Sequence, residues 1–267
     1  MTKKPSRYSA LLAWVFNQHH TPGARSVEWE RDDLVAGAQA LGITLPKNLG
    51  DVTYSVRYRT PFPQSIIDAA PEGYEWVLRG RGRARYSFDL VKNSVRITPN
   101  ERLTRTKIPD ATPEIITGTA LGDEQALLAV VRYNRLVDTF LGITAYSLQN
   151  HLRTTAPDIG QVEIDEVYVG VDTHGRQFII PVQAKGGNDQ IGITQIEQDL
   201  AVCAEKWPEM IARPVAAQFA ADGLIALFEL AVQDDEVRLA REAHYSLVAS
   251  SEITRDDLAL YGRTASN

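Results

Sequence analysis

The chain has 267 residues, of which 44% are hydrophobic and 23% are charged. This composition is typical of a globular protein with one large domain or two modest domains. The single cysteine, Cys203, excludes an internal disulfide, as expected of a protein in a reducing compartment. No apolar run has the roughly 18–20 residues needed to cross a bilayer, so we expect a cytoplasmic protein without a membrane partner.

The net charge of −6 is distributed unevenly along the chain. Lys and Arg outnumber Asp and Glu by 17 to 11 in residues 1–110, whereas Asp and Glu outnumber Lys and Arg by 14 to 6 in residues 186–267. A polyanion responds to the local electrostatic field rather than to the net charge. The basic first part is therefore compatible with binding of DNA phosphates.

The first 110 residues predict a small helical unit followed by a β-hairpin. Helices are predicted at residues 7–18, at 30–41 and from Pro46 to about residue 59. Strands predicted at 74–78 and 86–88 flank an arginine-rich turn. This order of elements is typical of a winged helix-turn-helix, so residues 1–110 are predicted to form a winged-helix-like DNA-binding domain. Its candidate DNA-contacting residues are Arg57, Arg59, Arg79, Arg81, Arg83 and Arg85.

Residues 111–267 are predicted to form a second domain. Residues 99–122 are rich in Pro and Gly and carry little periodicity, which indicates a linker. A long helical pattern begins at Asp123, and a second helix is predicted near residues 143–153. Further strands are predicted at 224–230 and 237–248, followed by a short helix.

A hairpin predicted between residues 160 and 187 carries the candidate catalytic residues. Two β-branched runs surround the turn Asp172-Thr-His-Gly-Arg176, a strong hairpin signal. If Asp172 pairs with Arg176, then Asp165 lies opposite Gln183 and Glu163 lies opposite Lys185. Because side chains on a strand alternate with period two, all four then project from one face; a register slip of one residue would separate them.

These residue types suit metal-assisted phosphoryl chemistry. Mg²⁺ prefers oxygen ligands and keeps several waters, so the Asp165 carboxylate and the side-chain oxygen of Gln183 are sufficient protein ligands. Bound metal polarises a phosphate and acidifies a water. Lys185 on the same face can orient that water and offset charge on the transition state. The alternative for Asp165 and Lys185 is a structural ion pair between strands.

The spacing Asp165-x(17)-Gln183-x-Lys185, followed by an amphipathic helix and an apolar strand near 214–219, resembles the PD-(D/E)xK nuclease superfamily, in particular its Mrr-type restriction branch. The resemblance covers about residues 123–220. It implies an α/β restriction-endonuclease-like fold, a mixed sheet flanked by helices. Carried over, Asp165 corresponds to the motif aspartate, Gln183 to the variable acid or glutamine, and Lys185 to the lysine.

The helix after the hairpin is predicted to bury one stripe of side chains, and Gln195, Gln198 and Asp199 are placed on its other faces, some of them near the site. The predicted stripe consists of Ile193, Ile196, Leu200, Cys203 and Trp207.

The chain departs from the family pattern in that no proline precedes Asp165. Glu124 and Glu163 are both candidates for the upstream glutamate of the family, and Glu163 is kept among the catalytic candidates.

The predicted function is that of a Mg²⁺-dependent endonuclease of duplex DNA, with Mn²⁺ as a possible substitute. The resemblance implies a restriction enzyme, and cutting both strands would require a homodimer. The alternatives are a DNA-binding regulator whose nuclease-like domain is inactive, and a structure-specific repair nuclease.

Overall fold

The computed structural model describes residues 6–58, 60–92, 97–119, 124–157, 159–186, 191–220, 222–233 and 236–264. Within these ranges, the structure describes only the backbone of residues 54, 57, 58, 124 and 264. The chain forms two compact units. Unit 1 contains residues 1–95, 155–162 and 192–198, and unit 2 contains residues 96–154, 163–191 and 199–267. The sequence placed the boundary at residue 110, whereas residues 96–110 group with unit 2.

Unit 1 combines helices with a small antiparallel sheet. Its elements in chain order are α1 (Arg7–His19), β1 (Ser26–Glu30), α2 (Arg31–Leu41), α3 (Gly50–Tyr58), α4 (Gln64–Asp68), β2 (Tyr74–Gly80) and β3 (Arg85–Lys92). In the described part of this unit the sheet has the strand order β1-β3-β2. The predicted hairpin of β2 and β3 is confirmed, with Leu78 opposite Phe88.

The core of unit 1 forms where α1 and the sheet bring aromatic and aliphatic side chains together. Phe16 of α1 lies edge-on to Phe88, with ring centroids 5.3 Å apart. Strand β1, which the sequence analysis did not predict, alternates between exposed and buried residues and buries Val27 and Trp29. Trp29 stacks on Tyr86 at 4.6 Å, so pairing with β3 gives this short segment its strand conformation.

Helix α3 begins at Gly50 rather than at Pro46 as predicted. The side-chain oxygen of Asn48 accepts a hydrogen bond from the Gly50 backbone N–H at 3.0 Å. This contact satisfies a donor that a helix start leaves free, and it sets the first turn later than the proline.

Unit 2 is built on a large mixed sheet. The elements that follow β3 in chain order are β4 (Arg105–Pro109), α5 (Glu114–Thr119), α6 (Glu124–Tyr133), α7 (Leu136–Leu141), β5 (Thr144–Ala156), β6 (Gly160–Val171), β7 (Gln177–Gly186), α8 (Ile193–Lys206), β8 (Ile211–Ala212), β9 (Val215–Phe219), β10 (Leu224–Gln233), β11 (Glu236–Val248), a 3-10 helix (Ser250–Glu252) and α9 (Arg255–Thr264). Strands β5 and β6 and helix α8 contribute residues to both units.

The sheet formed by the described residues has eight strands, in the order β4-β11-β10-β9-β7-β6-β5 with β8 beside β7. Neighbours β6 and β7, and β10 and β11, are antiparallel, whereas β7 with β9 and β11 with β4 are parallel. The sheet is therefore mixed and flanked by helices, as predicted. The strands and the helix expected after residue 223 are confirmed as β10, β11 and α9.

Two predictions for the segments before the hairpin are wrong. Residues 143–153, predicted as a helix, belong to strand β5 (Thr144–Ala156), because this segment pairs at the edge of the sheet next to β6. The predicted linker at 99–122 contains strand β4 and helix α5. Strand β4 is ordered by its parallel pairing with β11, in which Arg105 is the partner of His244.

Helices α6 and α7 pack on one face of the sheet. Leu128 and Phe140 from these helices share a buried apolar cluster with Ile180, Val182 and Ala184 of β7. Because side chains alternate along a strand, Gln183 projects from the opposite face. The residues of the candidate site are therefore separated from this apolar core by the sheet itself.

Among the helices of the described segments, none is long and apolar enough to span a membrane.

Candidate active site

The hairpin of β6 and β7 has the register that the sequence predicted. Glu166 is paired with Val182 and Val171 with Gln177. The turn is closed by a hydrogen bond from the Asp172 N–H to the Arg176 carbonyl at 3.2 Å. Gly175 supplies the left-handed conformation of the turn, with a φ of 77°. Continuing this register by one step sets Asp165 beside Gln183.

Asp165, Gln183 and Lys185 lie on one face of this hairpin, near the end of β7. Asp165 is 8% exposed, and its Oδ2 accepts a hydrogen bond from the Ala184 N–H at 2.9 Å. Gln183 is fully buried. Its Nε2 donates to the Glu163 carbonyl oxygen at 3.2 Å and to Oδ2 of Asp199 at 2.8 Å. Lys185 is half-buried, so exposure increases from Gln183 towards the carboxyl end of β7.

Asp199 of α8 is the residue of this cluster that the sequence analysis did not select. Its carboxylate is fully buried, and Oδ1 has no hydrogen-bond partner among the described residues. Burial raises the pKa of Asp199 well above its ordinary value, and the charge of Asp165 adds to the effect; the hydrogen bond from Gln183 and the charge of Lys185 act against it. Asp199 therefore shares an electrostatic environment with all three predicted residues.

The orientation of α8 explains why the sequence analysis placed Asp199 on another face. The helix buries Ile196 and Cys203, as predicted, but Leu200 is only half-buried. Asp199 is fully buried in its place, three residues after Ile196 and four before Cys203. This spacing lies on one helical face, so the helix is rotated relative to the predicted stripe. The sequence signal that could have identified Asp199 is its position at helical spacing between the apolar residues Ile196 and Cys203.

The carboxylate of Glu163 has partners on strand β5. It lies 3.2 Å from Nδ1 of His151 and 3.2 Å from Nε of Arg153. Burial acts to raise the pKa of Glu163, but hydrogen bonds and charges from Arg153 and His151 outweigh it and hold the pKa below its ordinary value. Glu163 contributes its backbone carbonyl to the site by accepting the hydrogen bond from Gln183. These contacts favour a supporting role over a direct catalytic one.

The cluster offers carboxylate oxygens, which are the ligand type that a hard divalent cation prefers. Among the described residues, no group of three or more His, Cys, Asp and Glu side chains is arranged to hold a metal. The cluster does contain two carboxylates, Asp165 and Asp199, and one buried oxygen of Asp199 lacks a hydrogen-bond partner within the described ranges. Because Mg²⁺ takes oxygen ligands and keeps several waters, the residues fit this ion. The side chain of Glu124, the other candidate upstream glutamate, lies outside the described residues.

The six arginines predicted to contact DNA divide into three groups. Arg79 and Arg81 form ion pairs with Asp89, at 3.3 and 2.8 Å. Arg83 and Arg85 are exposed and form no ion pair with any described residue. The side chain of Arg57 and the whole of Arg59 lie outside the described part of the chain.

No protein-family model matches the chain, and no curated protein matches it.

Proposed function

We propose that the protein is a Mg²⁺-dependent endonuclease that hydrolyses phosphodiester bonds in duplex DNA, with Asp165, Gln183 and Lys185 in its active site. The observation that supports this most strongly is the position of these residues on one face at the end of β7, next to the carboxylate of Asp199. Two carboxylates and a lysine in one cluster suit a reaction in which negative charge develops on a phosphate.

The reaction forms a bond from a water oxygen to phosphorus and breaks the bond from phosphorus to one sugar oxygen, which receives a proton. Mg²⁺, held by Asp165 beside Gln183, would supply Lewis-acid polarisation of the phosphate and acidify the water. Lys185 contributes an ammonium group that donates hydrogen bonds to the phosphate oxygens as their charge increases. Asp165 is oriented by the N–H of Ala184 at 2.9 Å, which fixes the direction of its carboxylate.

The partial exposure of the carboxyl end of β7 supports access of a phosphate group to the site. Gln183 is fully buried, whereas Lys185 and Gly186 are half-buried. A phosphate group that approaches the carboxyl end of this strand would meet the lysine first. The carboxylates lie deeper, where water is scarcer and their electrostatic interactions are stronger.

The architecture of unit 1 supports binding of duplex DNA. We propose that unit 1 is a winged helix, and this proposal is supported by its element order α-β-α-α-β-β and by its strand order β1-β3-β2. The tip of the β2-β3 hairpin carries Arg83 and Arg85, both exposed. Arginines at such a tip can contact phosphates or a narrow minor groove.

Restriction of foreign DNA is the biological role that we propose. Cleavage of both strands would require two active sites, and hence a homodimer. An inactive DNA-binding regulator and a structure-specific repair nuclease are the competing functions.

The test is nicking of supercoiled plasmid with Mg²⁺, with Mn²⁺ and with EDTA. We compare the wild type with Asp165→Ala and Lys185→Ala, and use Lys206→Ala, an exposed lysine at the end of α8, as the matched control. Each active-site variant is expected to lower the rate about 100-fold or more, and the control is expected to cleave normally. Cleavage that survives both substitutions would remove the site assignment. DNA binding without cleavage by the wild type would favour the regulator.

A further inference from the structure

The buried carboxylate of Asp199 requires an explanation. Its Oδ2 accepts one hydrogen bond from Gln183 at 2.8 Å, and Oδ1 has no hydrogen-bond partner in the described part of the chain. A carboxylate is costly to bury when one oxygen is left unsatisfied. Such a group in a native structure commonly marks a place where an ion, a water or a catalytic function is needed.

Gln183 is bound through its amide nitrogen. A primary amide has two N–H donors, and Nε2 of Gln183 donates to the Glu163 carbonyl oxygen at 3.2 Å and to Asp199 at 2.8 Å. These two bonds fix the plane of the amide. Gln183 therefore orients the carboxylate of Asp199 from the neighbouring strand.

Asp199 also belongs to the same electrostatic cluster as Asp165 and Lys185. Gln183, whose Nε2 donates to Asp199 at 2.8 Å, lies beside Asp165 across the hairpin and two residues before Lys185 on β7. Two carboxylates that repel each other in a buried place are stabilised together when a cation binds to both. The cluster therefore has both the ligand type and the charge that a divalent cation requires.

We infer that Asp199 is a ligand of the divalent cation together with Asp165, and that Gln183 is a positioning residue that holds Asp199 in place. This assignment rests on the proposed function, because that function introduces the cation. It differs from the role that the sequence suggests for Gln183, which was that of a neutral oxygen ligand. The acidic ligand would come from helix α8 instead of from strand β7.

The test is titration of the DNA-free protein with Mn²⁺. Binding is measured by calorimetry and by the electron paramagnetic resonance signal of free Mn²⁺. Asp199→Asn and Asp165→Asn keep the side-chain shape and remove one charge each. Both are expected to weaken Mn²⁺ binding about tenfold or more. Asp256→Asn, at an exposed position in α9, is the matched control and is expected to bind like the wild type. Circular dichroism and urea unfolding establish that each variant is folded.

Gln183→Glu separates the two roles of Gln183. If Gln183 orients Asp199, the substitution removes the N–H donors and adds a second negative charge against Asp199, so Mn²⁺ binding weakens. If Gln183 is itself the ligand, the added carboxylate strengthens binding. Tighter binding by Gln183→Glu, unchanged binding by Asp199→Asn, or no Mn²⁺ binding by the wild type would each overturn the inference.

Failure of this inference is distinguishable from failure of the proposed function. Plasmid cleavage by the wild type combined with unchanged Mn²⁺ affinity in Asp199→Asn would remove only the ligand assignment. If the wild type cleaves no DNA but Asp199→Asn binds Mn²⁺ more weakly than the wild type does, the metal-site assignment stands and the nuclease function is removed.

Discussion

Arg79 of β2 and Glu197 of α8, both in unit 1, are joined by two hydrogen bonds. Nε of the arginine lies 2.9 Å from Oε2 of the carboxylate, and Nη2 lies 2.6 Å from Oε1. Nη1 adds a third bond to Asp89 at 3.3 Å. Paired arrangements of this kind are among the stronger side-chain interactions. They favour a structural role for Arg79 over the DNA-binding role that its place in the arginine-rich turn suggested.

We predict that Arg79→Ala destabilises the protein by about 2–3 kcal/mol, because it leaves the partly buried carboxylate of Glu197 without its arginine donor and removes one of the donors to Asp89. Urea unfolding measures the free-energy change. Arg83→Ala, from the same turn, is the matched control and should change stability by less than about 0.5 kcal/mol. Equal stability of the two variants would show that the paired arginine contributes no more than the exposed one.

The exposed arginines of the β2-β3 turn lead to the opposite expectation. Replacing Arg83 and Arg85 with Ala should weaken binding to duplex DNA of any sequence. The slope of log K against log salt concentration should fall by about one for each phosphate that the variant no longer neutralises. Fluorescence anisotropy at several salt concentrations measures this slope. An unchanged slope would mean that the turn does not contact the phosphates.

Glu166, the neighbour of the proposed catalytic aspartate, has a structural role. Its side chain is fully buried, and Oε1 accepts hydrogen bonds from Nε of Arg132 at 2.8 Å and from Oγ of Ser147 at 2.6 Å. We predict that Arg132→Met destabilises the protein by about 3 kcal/mol, because the buried carboxylate loses its cation. This is the low end of the range for buried pairs, since Arg132 is 34% exposed and solvent screens part of its interaction.

The matched measurement is the double variant Arg132→Met with Glu166→Gln. With the charge of Glu166 removed, urea unfolding should show a smaller loss of stability than in the single variant. A double variant that is less stable than Arg132→Met would contradict this account.

The ionisation of Asp257, near the start of α9, is expected to make the stability of the folded protein depend on pH. It accepts hydrogen bonds from the backbone N–H and the hydroxyl of Thr254, both at 2.8 Å, and from Lys107 at 3.0 Å. The backbone hydrogen bond from Thr254, followed by the side-chain bonds from Lys107 and Thr254, lowers the pKa of Asp257 to about 2. In an unfolded chain an aspartate titrates near pH 4, so ionised Asp257 stabilises the folded protein above about pH 4.

This stabilisation should disappear as the pH falls from about 4 to about 2, because in this range the unfolded chain binds a proton at Asp257 more readily than the folded protein does. Thermal melting of the wild type and of Asp257→Asn across this range measures the effect, and the variant should show a flatter decline. Asp256→Asn, at the adjacent exposed position, should follow the wild type. Parallel melting curves for the wild type and Asp257→Asn would refute the prediction.

The register of the β6-β7 hairpin was predictable from the sequence because it depends on local features. The turn from Asp172 to Arg176, with Gly175 at positive φ, fixes which residues pair. Once the pairing is fixed, alternation along the strands puts Asp165, Gln183 and Lys185 on the same face. No interaction with a distant part of the chain is needed for this step.

Strands β1, β4 and β5 were not predictable in the same way, because their partners determine their conformation. Strand β1 pairs with a strand about 60 residues later, with Ser26 beside Asp89. In β5, Tyr146 and Leu148 are exposed, so the segment lacks the simple alternation of a half-buried strand and its apolar residues can equally be read with a helical period. The pairing with β6 is decided only when the sheet assembles.

The sequence by itself therefore determined the hairpin, the face that carries its three polar residues and the presence of a helix after it. Only the tertiary structure decided that this helix presents Asp199 to Gln183, and that Arg79 is bound to Glu197 while Arg83 and Arg85 are exposed. The physical reason is that strand pairing across a short turn follows from residues close in the chain. The rotation of a helix and the partner of a charge depend instead on surfaces built from residues far apart in sequence.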